Sequence, residues 1–488
     1  MRKGSITPYL ALTFAVLLSL ILVCLSSAGY ACGRAVLSAG MDEGLFSLFS
    51  EYDRTLYEKY GLLFIDSGFS GSDPDYGRLL EETCRITEDV IYPSLGIFGI
   101  MHTNMYRIRL DHRAVTGVVL ATDYGYAPLK EQIYSLMAAK KGVDAVVSAV
   151  GRLTGAADSI SAQEETGTVD MDALQAEYER EKAEAAAAAE EEPEGTGQTQ
   201  SSSVTVPENF VNPIDTIRNL QKLGIYSFVV PDPAAVSDAA VEKKTLLGSR
   251  SLNEGFGIGF DYRARTAEKF MMIEYLMDFF PSFLSAGNTE GLQYQAEYAV
   301  AGKYSDVSNL KSVMNRIMLI REGFNLLYLN TNAVRRMEAF DIALIITAIF
   351  CIPEAAPLVS ELVMVCWAYG ESLMDLKALY EGKKVPLFKD DDTWQLSLTN
   401  LAGLSAADES SGRKAGLTYR DYLRIMMILM PEDRLMTRIA ELLEYNKRLI
   451  DNEPHFRLDN CVYIFEAELG GTVYSREVTI RRSFGYDR

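Results

Sequence analysis

Imidazole is scarce in this chain: its 488 residues include three histidines, His102, His112 and His455. None stands at the i, i+4 spacing of a helical metal pair or beside a nucleophile motif, so a metal centre or general base built on imidazole is not indicated. Cysteine is also sparse, at six residues, and its positions do not form a disulfide framework. Cys24 and Cys32 lie in or at the edge of an apolar run, and Cys84 and Cys461 are isolated. Cys351 and Cys366 flank the segment Pro353 to Pro357. If that segment joins two antiparallel helices, the offset is roughly 10 Å, beyond disulfide reach, and buried free thiols are expected.

Basic charge is in deficit, with 47 Lys and Arg against 67 Asp and Glu and a net charge of −20. Such a balance argues against nucleic acid and anionic lipid headgroups as partners. Aromatic residues are plentiful, but they interleave with acids and not with basic clusters, so no stacking platform for single strands is expected. A phosphate loop is missing as well. Gly255, Gly257 and Gly259 lack a preceding strand and a Lys-Ser/Thr sequel, and read as a flexible loop. The run Lys389-Asp390-Asp391-Asp392-Thr393-Trp394 lacks the alternating ligands of a calcium loop and reads as a solvated turn. No catalytic, cofactor or metal residue is nominated.

What the chain does have is a long hydrophobic run near its start. Arg2 and Lys3 precede an uncharged stretch from Tyr9 to Leu25 that continues weakly to Ala31, enough for a helix across about 30 Å of hydrocarbon. A cleaved secretory signal is the competing reading, with Ser26-Ser27-Ala28 as its cut site. The apolar pattern runs on through Val36, Met41, Leu45 and Phe49 to about Tyr60, which favours one continuous helix anchored in a lipid bilayer. The basic start predicts a cytoplasmic N-terminus and an extracytoplasmic body.

The expected organisation is an anchor over 1–34, a first part of an ectodomain over 35–160, an acidic disordered linker over 161–207 and a second part over 208–488. From Glu164 to Glu194 there are twelve acidic and two basic residues, with alanine from 185 to 189. The Gly/Ser/Thr/Gln stretch that follows has nothing to bury. Helices are predicted from about Tyr76 to Tyr92, Pro128 to Leu153, Pro213 to Leu223, Arg263 to Phe280 and Asn309 to Tyr328. Strands are predicted at Gly61 to Asp66, Met105 to Leu110, Ala114 to Thr122 and Gln293 to Val300, with an extended piece from Ile225 to Pro231. Residues 340–381 read as a buried helical hairpin, because Pro353 and Pro357 split its apolar run into pieces too short to span; a membrane hairpin is the alternative. A C-terminal β-hairpin over 460–482 is predicted to turn at Leu469-Gly470-Gly471. The fold class is therefore α+β and helix-rich.

The start of the chain, with Glu51-Tyr52-Asp53-Arg54 and Tyr57 to Phe64, resembles a family of uncharacterised Gram-positive envelope proteins encoded beside Tad/Flp pilus genes, similar to large TadE/TadG-like pseudopilins. Tyr294 to Gly302 with Asn309-Leu310, Trp367 to Ser372, Gly382 to Leu387 with Trp394-Gln395, and Leu417 to Arg424 carry the same resemblance. It implies prepilin-type processing between Gly4 and Ser5, and pilus or secretion-system subunits as partners. The glutamate that such pilins place five residues into the mature chain is replaced by Tyr9, which implies a membrane-retained, non-enzymatic accessory component. The alternatives are an anchored cell-wall or polysaccharide hydrolase using a carboxylate pair, and a ligand-binding sensor.

Overall fold

A computed structural model describes residues 6–95, 101–166, 170–191, 210–230, 232–287, 290–405 and 408–486. The fold is helix-rich α+β, with a small four-stranded antiparallel sheet that includes a C-terminal β-hairpin, and a separate two-stranded pairing of Ser94–Leu95 with Met101–His102. Two compact units share the chain discontinuously. The first takes Met1–Lys140, Lys243–Glu268 and Ile439–Arg488; the second takes Lys141–Glu242 and Lys269–Arg438. This replaces the expected succession of 35–160 and 208–488, and the cause is strand pairing between distant parts of the sequence.

In the first unit, strands β1 (Ile65–Asp66), β2 (Ile108–Leu120), β3 (Cys461–Val473) and β4 (Arg476–Gly485) form the sheet. The middle strand is β3, antiparallel to β2 from Ile108↔Val473 to Leu120↔Val462 and to β4 from Val473↔Arg476 to Ile464↔Gly485. The two strands predicted around residues 105–122 are one strand, β2, with register shifts at Leu110/His112 and Val115/Gly117. The hairpin turns at Tyr474 and Ser475, whose φ values are 48° and 67°, and not at Gly470-Gly471. Those glycines stay within β3 because a Cβ on Gly471 would run into the Arg109 carbonyl of β2.

Helix α1 (Ile6–Ser50) lies against this sheet and against α2 (Tyr76–Ile91). Leu37, Met41, Leu45 and Phe49 join Leu79 and Ile91 of α2 and Phe465, Leu469 and Ile480 of the sheet in one core. The expected continuation of α1 to Tyr60 is interrupted. Asp53 caps a separate helix, Arg54–Tyr60, by accepting from the Leu56 N–H at 2.8 Å, and such a cap favours a fresh start over propagation.

The second unit is helical and built around α6 (Ala356–Tyr380), which packs with α3 (Pro213–Leu223), α4 (Asp306–Thr331) and α5 (Ala333–Phe350). Helix α7 (Tyr419–Leu429) opens with a reciprocal cap between Thr418 and Asp421. From Leu362 to Tyr380 every residue of α6 is buried. The predicted helical hairpin is present, although its first arm is less enclosed: α5 buries only Ala339, Ala343, Ile346 and Thr347.

Three local expectations are corrected here. Ile225–Val229 and Gln295–Ala301 are short helices, not extended segments. In the latter, Ala296, Glu297, Tyr298 and Ala299 are all buried, and periodicity cannot separate strand from helix in a short run enclosed on every side. The acidic stretch 161–207 is largely helical where described, as Thr154–Thr166 and Met171–Glu191; residues 192–209 lie outside the described residues. Its Ala/Glu composition favours helix. Met171 and Tyr178, seven residues apart on one face, are buried, and Tyr178 meets Phe350 edge-on at 6.4 Å.

Candidate functional site: helix α1 and its seat

Helix α1 has two halves with opposite surroundings. It is the one described helix long and apolar enough to cross a membrane, with mean hydropathy 2.5 over an 18-residue window of which none is buried. Two of its polar side chains there bond within the helix itself. Thr13 Oγ1 donates to the carbonyls of Tyr9 and Leu10, and Ser19 Oγ donates to that of Val16 at 2.8 Å. Hydrogen bonding kept within the helix is what a hydrocarbon medium tolerates. Gly4 and Ser5 lie outside the described residues; Tyr9 is exposed on the free half.

The second half is bedded by glycines. Gly33 faces Val473 and Tyr106, and Gly40 and Gly44 face Thr87 and Thr83 of α2. A Cβ at Gly44 would sit 2.5 Å from the Thr83 carbonyl, so α1 and α2 approach more closely there than any side chain permits. Thr87 Oγ1 donates to the Gly40 carbonyl at 3.2 Å. At the rim, Tyr30 donates to the Glu477 carbonyl, Arg482 donates to Asp42 at 3.0 Å and to Ser38 at 2.6 Å, and Phe49 meets Tyr486 at 5.0 Å.

The residues weighed for chemistry fall elsewhere. His112, on β2, is exposed and 3.5 Å from Glu468, and His455 is exposed. Among the described residues no group of three or more His, Cys, Asp or Glu converges on a metal position. The glycine-rich loop is not free, as the flexible reading expected. Phe256 and Val118 exchange two backbone bonds, and the Gly255 N–H donates to Asp123, so Gly255 and Gly257 let the segment lie directly on β2. Cys366 is buried, and burial pushes its thiol up to about 12; Cys351, expected to be buried, is exposed. No described cysteine forms a disulfide.

The aspartate run is a turn only in part. Asp390 accepts from Thr393 N–H at 2.9 Å, whereas the neighbouring Lys389 is buried. Lys389 donates to Glu371 at 2.6 Å and to Asp375 at 2.7 Å, and Arg321 donates to Asp375 at 2.8 Å. All four side chains are fully or almost fully enclosed. Arg321 also donates to the carbonyls of Pro386 and Leu387, and the Gln395 and Leu396 N–H groups donate to Glu371. Two cations and two carboxylates balance. Burial alone would raise Asp375; Arg321 and then Lys389 overcome it and hold the carboxyl below its ordinary value. The network ties α4, α6 and the 386–396 segment together.

Residues 203–473 match a family of unknown function, DUF5702. The chain belongs to that family. No curated protein and no solved structure matches it. The DUF5702 span contains the whole buried network, α3 to α7 and strand β3, while α1 precedes it.

Within the DUF5702 span a further buried acid, Glu297, is also hidden from sequence reasoning. Tyr419 donates to it at 2.6 Å and the Phe283 N–H at 2.9 Å, its Oε2 has no partner, and burial pushes the carboxyl up to about 7. The network did leave a trace in the sequence. Glu371 and Asp375 stand four apart in a largely apolar helix, the spacing that puts both on one face, and Arg321 interrupts the apolar side of α4. Neither charge belongs on a buried face unless it is paired.

Proposed function

We propose that this DUF5702 protein is a membrane-anchored, extracytoplasmic and non-enzymatic component of a Tad-like pilus or secretion apparatus, acting through subunit contacts. One observation carries the reading: the division of α1 into an apolar half without protein partners and a half locked by glycines onto a folded body. A cleaved signal has no need to be continuous with the core of the mature fold. The basic pair Arg2-Lys3 supports an N-terminus on the cytoplasmic side. Tyr9 in place of an assembly glutamate supports retention in the bilayer over release into a filament.

Topology and partners are tested together in native membranes. In a Cys32→Ser background, the exposed Cys351 should react with a membrane-impermeant maleimide in intact cells; protection until lysis would overturn the orientation. Crosslinking followed by purification should recover pilus ATPase, platform or pilin subunits. Recovery of wall-degrading activity without them would favour the anchored hydrolase. N-terminal sequencing completes the set: a start at Met1 or Ser5 keeps the anchor, and a start at Gly29 removes it.

A further inference from the structure

The first arm of the helical hairpin carries an apolar face that its own unit does not cover. On α5, Val334 is 66% exposed, Met337 69% and Phe340 40%. Beside this ridge runs a groove of about 870 Å³ between α5 and the first turns of α6, lined by Met337, Phe340, Pro357 and Met364. Ridge and groove lie on the same surface. Flexible methionines are well suited to such a contact, because a thioether side chain repacks at little cost.

Two charges identify the occupant. Arg336 and Glu361 both line the groove, one on each helix, and both are exposed. Among the described residues neither makes an ion pair, whereas their neighbour Arg335 is held by Glu338 at 3.2 Å. One unpaired cation and one unpaired anion on the same apolar face form a set that a two-fold axis satisfies, since each residue of an isologous contact meets its complement on the other copy. An anionic lipid surface would leave Glu361 repelled, and a basic peptide would leave Arg336 repelled.

We propose that this face of α5 and α6 is a self-association surface. A second copy of the chain seats its α5 ridge in the groove, with Arg336 of each copy opposite Glu361 of the other. The proposal stands apart from the pilus reading and from any association through α1.

The test is charge reversal in the full-length protein in detergent micelles, with mass read by light scattering. The wild type should dimerise at micromolar concentration. Arg336→Glu and Glu361→Arg should each weaken the dimer by about tenfold or more, and the double reversal should restore it to within about threefold. Thermal melts of all four proteins, taken at a concentration where each is monomeric, should coincide, because both side chains are exposed. A photo-crosslinker at position 337 should yield the covalent dimer. A monomeric wild type, a double reversal no better than the singles, or crosslinks only to other molecules would overturn the proposal. A dimer indifferent to both reversals would assign self-association to another surface, leaving the anchor reading intact.

Discussion

Helices α5 and α6 are the two arms of one hairpin and are similarly apolar in sequence, yet α6 disappears into its unit and α5 keeps a greasy outer side. The contrast is one of neighbours. Helix α6 is met by α3, α4 and α5 and pinned by the buried charges of Glu371 and Asp375; α5 meets α4 and α6 but keeps an open outer face. The halves of α1 repeat the lesson, since apolar character is continuous through the helix while full burial begins only at Gly33. Hydropathy measures what a helix can bury. Only the tertiary arrangement says which part has been given something to bury against.

The comparison breaks first at the charge network. Arg321→Leu leaves Asp375 with one cation fewer in a sealed site, and a loss of about 3–5 kcal/mol is expected in chemical denaturation, with the second unit unfolding first. A smaller effect is expected from pH. Because the folded Glu297 carboxyl titrates near 7 and an ordinary glutamate near 4.5, its proton stabilises the fold fully below about pH 4.5, and that stabilisation is lost as pH rises through about 7. The span is of the order of 3 kcal/mol. Burial pushes Glu322 up to about 7 as well and adds a fall of the same sign, so Glu297→Gln should shrink the pH dependence by the share of Glu297 alone; a variant profile identical to the wild type would place the proton elsewhere.

Next comes the seat of α1. Gly44→Ala forces a Cβ against the Thr83 carbonyl, a backbone atom with little room to move, at an expected cost of about 1–3 kcal/mol. Gly29→Ala meets the ring of Tyr474, a movable side chain, and should cost less. Unfolding monitored by near-ultraviolet circular dichroism distinguishes the two, and equal losses would mean that the glycine row is not what sets the approach of α1. Smallest of all, Met337→Ser should change stability by less than about 0.5 kcal/mol in the monomer. A larger loss would show that α5 is buried after all.

Fold class and most helices were legible because amphipathic spacing and caps are local. Tyr76–Ile91 and Pro213–Leu223 start behind Asp75 and Asn212, each accepting from a backbone N–H of the first turn. What escaped was set by distant chain. The glycines that suggest a turn at 470–471 serve instead to admit Arg109, far earlier in the sequence, while the real turn uses Tyr474 and Ser475, residues that seldom take positive φ. The acidic helix Met171–Glu191 looked like solvent-filled chain because its two anchoring residues, Met171 and Tyr178, are few and its partner Phe350 is remote. At the candidate site, the apolar half of α1 was plain from composition, whereas its glycine seat and the Arg321 network exist only once the helices have met.

The placement of β3 governs when the first unit can exist at all. Thr116 on β2 donates to Glu466 on β3 across 350 positions of sequence, and β3 is the strand on which every other strand of the sheet depends. A chain emerging from a ribosome therefore carries α1, α2 and β2 for most of its synthesis with no sheet to close on. Such late closure is slow by the cost of long-range pairing. It also keeps the first unit open while the second is being made, so truncation anywhere before residue 461 should leave a chain whose apolar half of α1 is intact and whose sheet never forms.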